Sequence, residues 1–226
     1  MSARQRSGGW RTGLRVGATL AVPTAALGVS FGATAAIADW PPGATIVMSA
    51  LVLSGSAQFA FLTALADGTG LASGVVAGAL MNLRFAPMAA ASARSLHGGR
   101  LQRAFEGQTV VDGSWAPAQR PDGTTDRELM VAATFVQWPA WVAGTAVGVL
   151  LAPSADLLHR YGLDVVFPCF FLLLLLDSLR SRPDHRWVAV TALAIAAVGV
   201  LLLPAGIALL LSSAATFVAL LTRTRS

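Results

Sequence analysis

Lysine is absent from the 226 residues, there is one cysteine and there are three histidines, and only 12% of the chain is charged. Each scarcity excludes something. With no lysine there is no GxxxxGK[ST] loop, so the chain does not hydrolyse a nucleoside triphosphate by that device. The single Cys169 forbids an intrachain disulfide, and its place inside an apolar run beside Phe170 reads as packing rather than chemistry. His97, His159 and His185 all fall between apolar runs, no glutamate falls within one, and no grouping suggests a metal site or a bound cofactor. The strictly alternating strands of an outer-membrane barrel are missing as well.

What remains is 55% hydrophobic, far from the ordinary soluble balance. Apolar runs occupy Gly13 to Ala38, Ala44 to Ala66, Leu71 to Ala93, Leu129 to Ala152, Leu163 to Leu179 and Trp187 to Leu221. Each is long enough for a helical crossing at about 20 residues per span. The last is long enough for two short passes hinged at Pro204 and Gly206. The expected fold is all-α, a polytopic transmembrane helical bundle of six to seven apolar runs, one of them re-entrant or broken. Arg4, Arg6, Arg11 and Arg15, followed by an apolar stretch and Ala36-Ile37-Ala38, resemble a signal peptide, but that stretch exceeds a signal h-region and further spans follow, so a retained helix is expected.

All sixteen basic residues are arginine and they sit almost entirely outside the runs, which favours membrane orientation and lipid headgroups over nucleic acid. One crossing per run places the clusters around Arg100, Arg182 and Arg223 opposite the N-terminus and inverts the positive-inside rule. One crossing more or fewer before Arg94 repairs all of them together. Ala44 to Ala66 is the run best suited to enter and return, because Leu53-Ser54-Gly55-Ser56-Ala57-Gln58 at its centre is small and polar. The expected organisation is a cytoplasmic N-terminal tail at 1–12, a membrane half at 13–96, a cytoplasmic loop at 97–128 and a second membrane half at 129–222. The glycines, prolines and charges of the loop suggest no packed domain there.

Polar residues within the runs mark the candidate site. Gln58 either sits at a buried discontinuity or bonds a neighbouring helix from a continuous one. Arg84 lies near the middle of its run, where a charge costs from about 2.5 to more than 10 kcal/mol. Pro87 cannot donate to the carbonyl of Leu83, so a break there would let Asn82 and Arg84 face one cavity. Arg84 then either anchors an anionic group, with Asn82 and Gln58 as neutral partners, or is a structural arginine satisfied by carbonyls and by an acid such as Asp177. Gln137 before Trp138-Pro139-Ala140-Trp141 interrupts another run, its tryptophans reading as packing or interfacial anchors. Gly28/Gly32, Gly74/Gly78 and Gly144/Gly148 are GxxxG pairs that allow close backbone approach. Asp177 and Asp164 are the acids best placed for ion coupling. A faint echo of Asn82 to Pro87 in Asp164 to Pro168 hints at repeated halves.

The segments PTAALGVSFG, MSALVLSGSAQFAFLTAL and MNLRFAPMAAASARSL, in this order, resemble the AzlC family, the large subunits of bacterial branched-chain amino acid exporters. The resemblance runs from about Gly13 to Leu221. It maps a GxxQF element onto Gly55, Gln58 and Phe59, and an N/D-x-R element onto Asn82 and Arg84. It departs at Phe85, where members often carry histidine. It departs again at Val111-Asp112-Gly113, the nearest match to an acidic TDE-like element, which lacks the glutamate. The resemblance implies export of valine, leucine, isoleucine or another small hydrophobic amino acid across a bacterial inner membrane, in complex with a small AzlD-like subunit. The glycine pairs at Gly28/Gly32 and Gly144/Gly148 are the faces expected to receive that subunit. A zwitterion needs a cation or helix N-terminus for its carboxylate, acceptors for its ammonium and an apolar pocket for its side chain. Arg84, the groups around Gln58, and Phe59, Phe61 or Phe85 offer these. Two alternatives stand beside a transporter: a non-transporting membrane scaffold, which has no need of a mid-membrane arginine, and an intramembrane hydrolase using Ser54 or Ser56, which lacks a base within the runs.

Overall fold

The computed structural model describes residues 3–66, 70–120, 122–151 and 186–202, with isolated positions between 160 and 180. The described residues are helical, and their one strand-like feature is an isolated bridge between Gln119 and Thr125. The helices are α1 (Ala3–Ile37), α2 (Pro42–Leu51), α3 (Gly55–Ala66), α4 (Gly70–Asn82), α5 (Phe85–Ser92), α6 (Arg100–Gly107), α7 (Asp112–Trp115), α8 (Arg127–Leu151) and α9 (Arg186–Leu202). Alone, α1 and α8 are long and apolar enough to cross a membrane, and α4 with α5, bent by 45°, makes a third candidate. Asp164, Asp177 and most of the chain after Leu151, apart from α9, lie outside the described residues.

The frame is the pair α1 and α8. Gly13 packs on Leu129, Gly17 on Ala133, Gly28 on Trp141 and Gly32 on Thr145, so the two helices run in the same direction. A methyl on any of these glycines would strike the facing backbone. The contact is reciprocal, since Gly144 faces the carbonyl of Ala25 and Gly148 that of Val29. The expectation that these two pairs receive a partner subunit is therefore corrected: they are spent on each other within the chain. The third pair is used internally too, with Gly74 against the Phe61 ring and Gly78 against Ala57.

At its far end α1 stops in a left-handed cap. Asp39 has φ 53, a region in which short polar side chains are tolerated. The Trp40 amide returns to the Ala35 carbonyl at 2.9 Å and the Asp39 amide to Ala36 at 3.2 Å. Pro41 and Pro42 cannot continue the helix, and Pro42 suits the first turn of the next one.

From that end α2 re-enters the bundle. Ser49 of α2 bonds Thr145 of α8 at 2.9 Å, and the chain leaves helical geometry over residues 52–54 beside Trp141. Then α3 returns until Phe61 meets Trp40, ring centroids 5.4 Å apart. The run Ala44 to Ala66 is thus a hairpin that starts and finishes near the Trp40 end, with its tip inside the protein. Next α4 descends along α3 and α5 carries the chain to the arginine end, where Ser92 bonds Thr125 at 3.2 Å and receives the Trp115 indole at 2.9 Å. The break falls at Leu83 and Arg84 rather than at Pro87. Pro87 sits in the first turn of α5, and the Leu83 carbonyl it cannot bond accepts from Ala86 at 3.0 Å, so that acceptor is not free.

The segment 97–128 is also corrected, because it is folded and packed. Val110, Ala118 and Met130 form a buried cluster with Met88, Leu96, Trp115 and Leu129 around it. The hydroxyl of Thr134 reaches Ser114 at 2.8 Å and the Thr109 carbonyl at 3.1 Å. Its turn residues concealed an apolar set that can be buried only against α5 and α8. Asp126 caps α8 by accepting the Leu129 amide at 3.1 Å. Glu106 is held by Arg127 through two hydrogen bonds, one of them 2.7 Å, and also by the His97 amide and by Gln102.

Candidate functional site

Two tips meet inside the bundle. One is the α2/α3 hairpin, ending in Ser54, Gly55 and Ser56. The other is Val111, Asp112 and Gly113, which the segment after α6 pushes in from the arginine end until Gly113 abuts the Gln137 side chain and Leu20. Between them, at the break of α4 and α5, stands Arg84. One nitrogen, Nη2, donates to Ser56 Oγ at 2.9 Å and to Asp112 Oδ2 at 2.8 Å. The guanidinium also lies 4.9 Å from the centroid of the Phe85 ring, within cation–π range. The helix break makes this possible, because the side chain leaves the bundle wall where the backbone turns.

These residues border a cleft of about 650 Å³, its open mouth included. Arg84, Asp112, Ser54, Ser56, Thr24, Thr134 and Gln137 supply its polar lining. Leu27, Leu53, Phe85, Val111, Trp138 and Trp141 supply its apolar wall. Arg84 and Asp112 keep 30% and 25% of their side chains exposed, so the pair faces open space rather than a sealed core. The N-terminus of α3 opens onto the same cleft, adding the positive end of a helix dipole to the arginine.

The expected site residues divide. Arg84, Gln137 and Gly55 line the cleft. Gln58 does not: it is fully buried behind the wall, its Nε2 donating to the Val52 carbonyl at 2.5 Å and its Oε1 accepting from Ser49 at 3.2 Å and Trp141 Nε1 at 3.3 Å. It stitches the open turn of the hairpin to α8. Phe59 packs edge-on against Phe31, ring centroids 5.5 Å apart, within the apolar core that contains Trp141. Asn82 lines a separate cleft with Leu51, Val52, Gln108 and Val110, where its Oδ1 is buried without a hydrogen-bond partner. Leu53, Ser54, Phe85 and Val111 border both clefts and form the partition between them.

Among the described residues the acid partner of Arg84 is Asp112, and Asp177 lies outside them. The sequence signals for Asp112 are an acid between Val111 and Gly113 in a stretch otherwise rich in turn residues, and the partial match of that tripeptide to a TDE-like element. Ser56, read as a nucleophile in the hydrolase alternative, accepts from a guanidinium, which has no capacity to take its proton. Among the described residues no group of three or more histidine, cysteine, aspartate or glutamate side chains could hold a metal.

No curated protein and no solved structure matches this sequence. Residues 19–154, more than half of the chain and all the elements that build the cleft, match the family described as AzlC protein, so the chain belongs to the AzlC family.

Proposed function

We propose that this chain is the large membrane subunit of a secondary transporter exporting branched-chain or other small hydrophobic amino acids across a bacterial inner membrane. The observation that carries the reading is the cleft, in which a mid-bundle arginine and a helix N-terminus face a wall of leucine, phenylalanine and tryptophan. Arg84 and the start of α3 receive the substrate carboxylate, and the apolar wall receives its side chain. Gln137 and Ser56 supply neutral hydrogen bonds. Helical breaks at membrane depth are tolerated where they border such a cavity, and broken helices recur at transporter binding sites. A scaffold needs neither the arginine nor the cleft.

A small AzlD-like helical subunit is part of the proposal. Since the glycine faces of α1 and α8 are already paired, it docks on another surface. The ion that drives export, and any part in it for Asp164 or Asp177, belongs to the same proposal.

The test is efflux of labelled valine, leucine and isoleucine from liposomes containing the chain with its co-expressed partner. Arg84→Ala abolishes saturable efflux at equal protein abundance, while Arg84→Lys, which keeps the charge but loses the planar fork, retains a fraction. Normal efflux by Arg84→Ala removes the anchor role and favours the scaffold.

A further inference from the structure

We infer that Asp112 is the ammonium-binding group of the cleft, and that the substrate enters as a zwitterion by exchanging partners with the Arg84–Asp112 ion pair. This rests on the amino-acid reading and deepens it by naming the charge state recognised and the second residue that recognises it.

Three observations converge. Both members of the pair border the cleft, and both are partly exposed to it, so an incoming molecule reaches either charge without unfolding anything. From the α4/α5 break Arg84 links the two tips that enter from opposite ends of the bundle, the α2/α3 hairpin through Ser56 and the segment before α8 through Asp112. At 2.8 Å the pair is self-neutralising, so the cleft carries no net charge from it.

That neutrality sets the selectivity. A carboxylic acid lacking an amine competes for Arg84 and strands Asp112. An amine lacking a carboxylate does the reverse. Either leaves an uncompensated charge in a cleft walled largely by apolar side chains, which is the costly way to break an ion pair. A free α-amino acid carries both charges on one carbon and satisfies both residues at once. Its insertion separates the two tips that the pair now joins, which ties binding to opening of the cleft.

The test uses the full chain, purified in mild detergent with any subunit that accompanies it. Equilibrium binding is measured for the tightest ligand among valine, leucine and isoleucine, for its primary amide, and for the corresponding acid lacking the amine. In the native protein the amide and the acid each bind at least tenfold more weakly than the amino acid. In Asp112→Asn the amino acid loses at least tenfold, whereas the amine-free acid binds several-fold more tightly than it does to the native protein, because it no longer competes with the Asp112 carboxylate and strands no charge there. A structural role for Asp112 predicts no such gain. Comparable binding of amide and amino acid to the native protein overturns the inference, as does an Asp112→Asn protein that is folded and binds the amino acid undiminished or shows no gain for the acid. Should Asp112→Asn aggregate, the native ligand series decides alone. If none of the three amino acids binds, the amino-acid reading itself falls and this inference with it.

Discussion

Gly28 and Gly144 occupy equivalent places on α1 and α8, each pressed against a carbonyl of the other helix, Trp141 for Gly28 and Ala25 for Gly144. The equivalence extends along the sequence: PTAALGVSFG in α1 and PAWVAGTAVG in α8 share the proline and both glycines at the same spacing. Parallel helices with reciprocal contacts imply an approximate two-fold axis along the seam, the arrangement of parallel repeats in transporters.

Alanine at Gly28 or Gly144 therefore has no room. Either substitution forces the helices apart and costs about 1–3 kcal/mol or more. Gly43→Ala and Gly107→Ala, where nothing lies within 4 Å of the added methyl, serve as controls and leave stability nearly unchanged. Thermal unfolding in detergent separates the two classes. Equal melting of all four variants would remove the seam as a source of stability.

The parallel pair also fixes sidedness. Gly9 lies beside Asp126 and Glu128, so the first arginines and the start of α8 share one end, whereas Trp40 and the hairpin bases lie at the other. By the positive-inside rule the shared end is expected to face the cytoplasm. In a Cys169→Ala background, a cysteine at Gly43 reacts with an impermeant thiol reagent in intact cells and one at Arg100 reacts only after lysis. The reverse pattern contradicts the assignment.

Gln58 is expected to act on stability and not on substrate. Gln58→Leu strips the Val52 carbonyl of its donor and costs about 1–3 kcal/mol. The affinity of the folded fraction for substrate stays within about twofold of native. A large loss of affinity at unchanged stability would return Gln58 to the binding site.

Glu106 makes the fold of the 97–128 segment sensitive to acid. Arg127 first, and then Gln102 and the His97 amide, hold its carboxyl down to about 2 against burial that opposes them. Because the folded value lies below the unfolded one, this stabilisation is complete above about pH 4.3 and is lost as pH falls towards the folded value. It amounts to on the order of 3 kcal/mol. Glu106→Gln should lower the melting temperature at pH 7 and flatten its decline between pH 5 and 3. An unchanged decline would place the acid sensitivity elsewhere.

Much of this was legible before the structure. Hydropathy located α1 and α8, arginine placement demanded one crossing more or fewer before Arg94, and the Ser-Gly-Ser centre of the second run marked the place where that run breaks. The cost of a charge at membrane depth singled out Arg84. Asp112 was marked only as part of an incomplete TDE-like element, and its pairing with Arg84 stayed hidden because the segment's polarity reads as solvent-exposed and gives no sign that the chain turns inward. Gln58 and Phe59 stand on the right element, but three-dimensional packing alone decides that they lie behind the wall rather than in it. The glycine pairs were visible as close-approach surfaces. That they meet one another required the two repeated decapeptides to be read as one pattern.

The polar stitches of the hairpin have a consequence for how the protein is made. Trp141 and Thr145, which bond Gln58 and Ser49, lie 83 and 96 residues further along the chain than the groups they satisfy. At about 5–20 residues per second, roughly 4 to 20 seconds of translation separate the emergence of the hairpin from that of its partners. Were the hairpin already in the bilayer during that interval, its serines and glutamine would have neither water nor α8 to bond. The hairpin must wait at the insertion machinery, or outside the bilayer, until α8 arrives, so the last part of the N-terminal half to be seated is an element synthesised among the first.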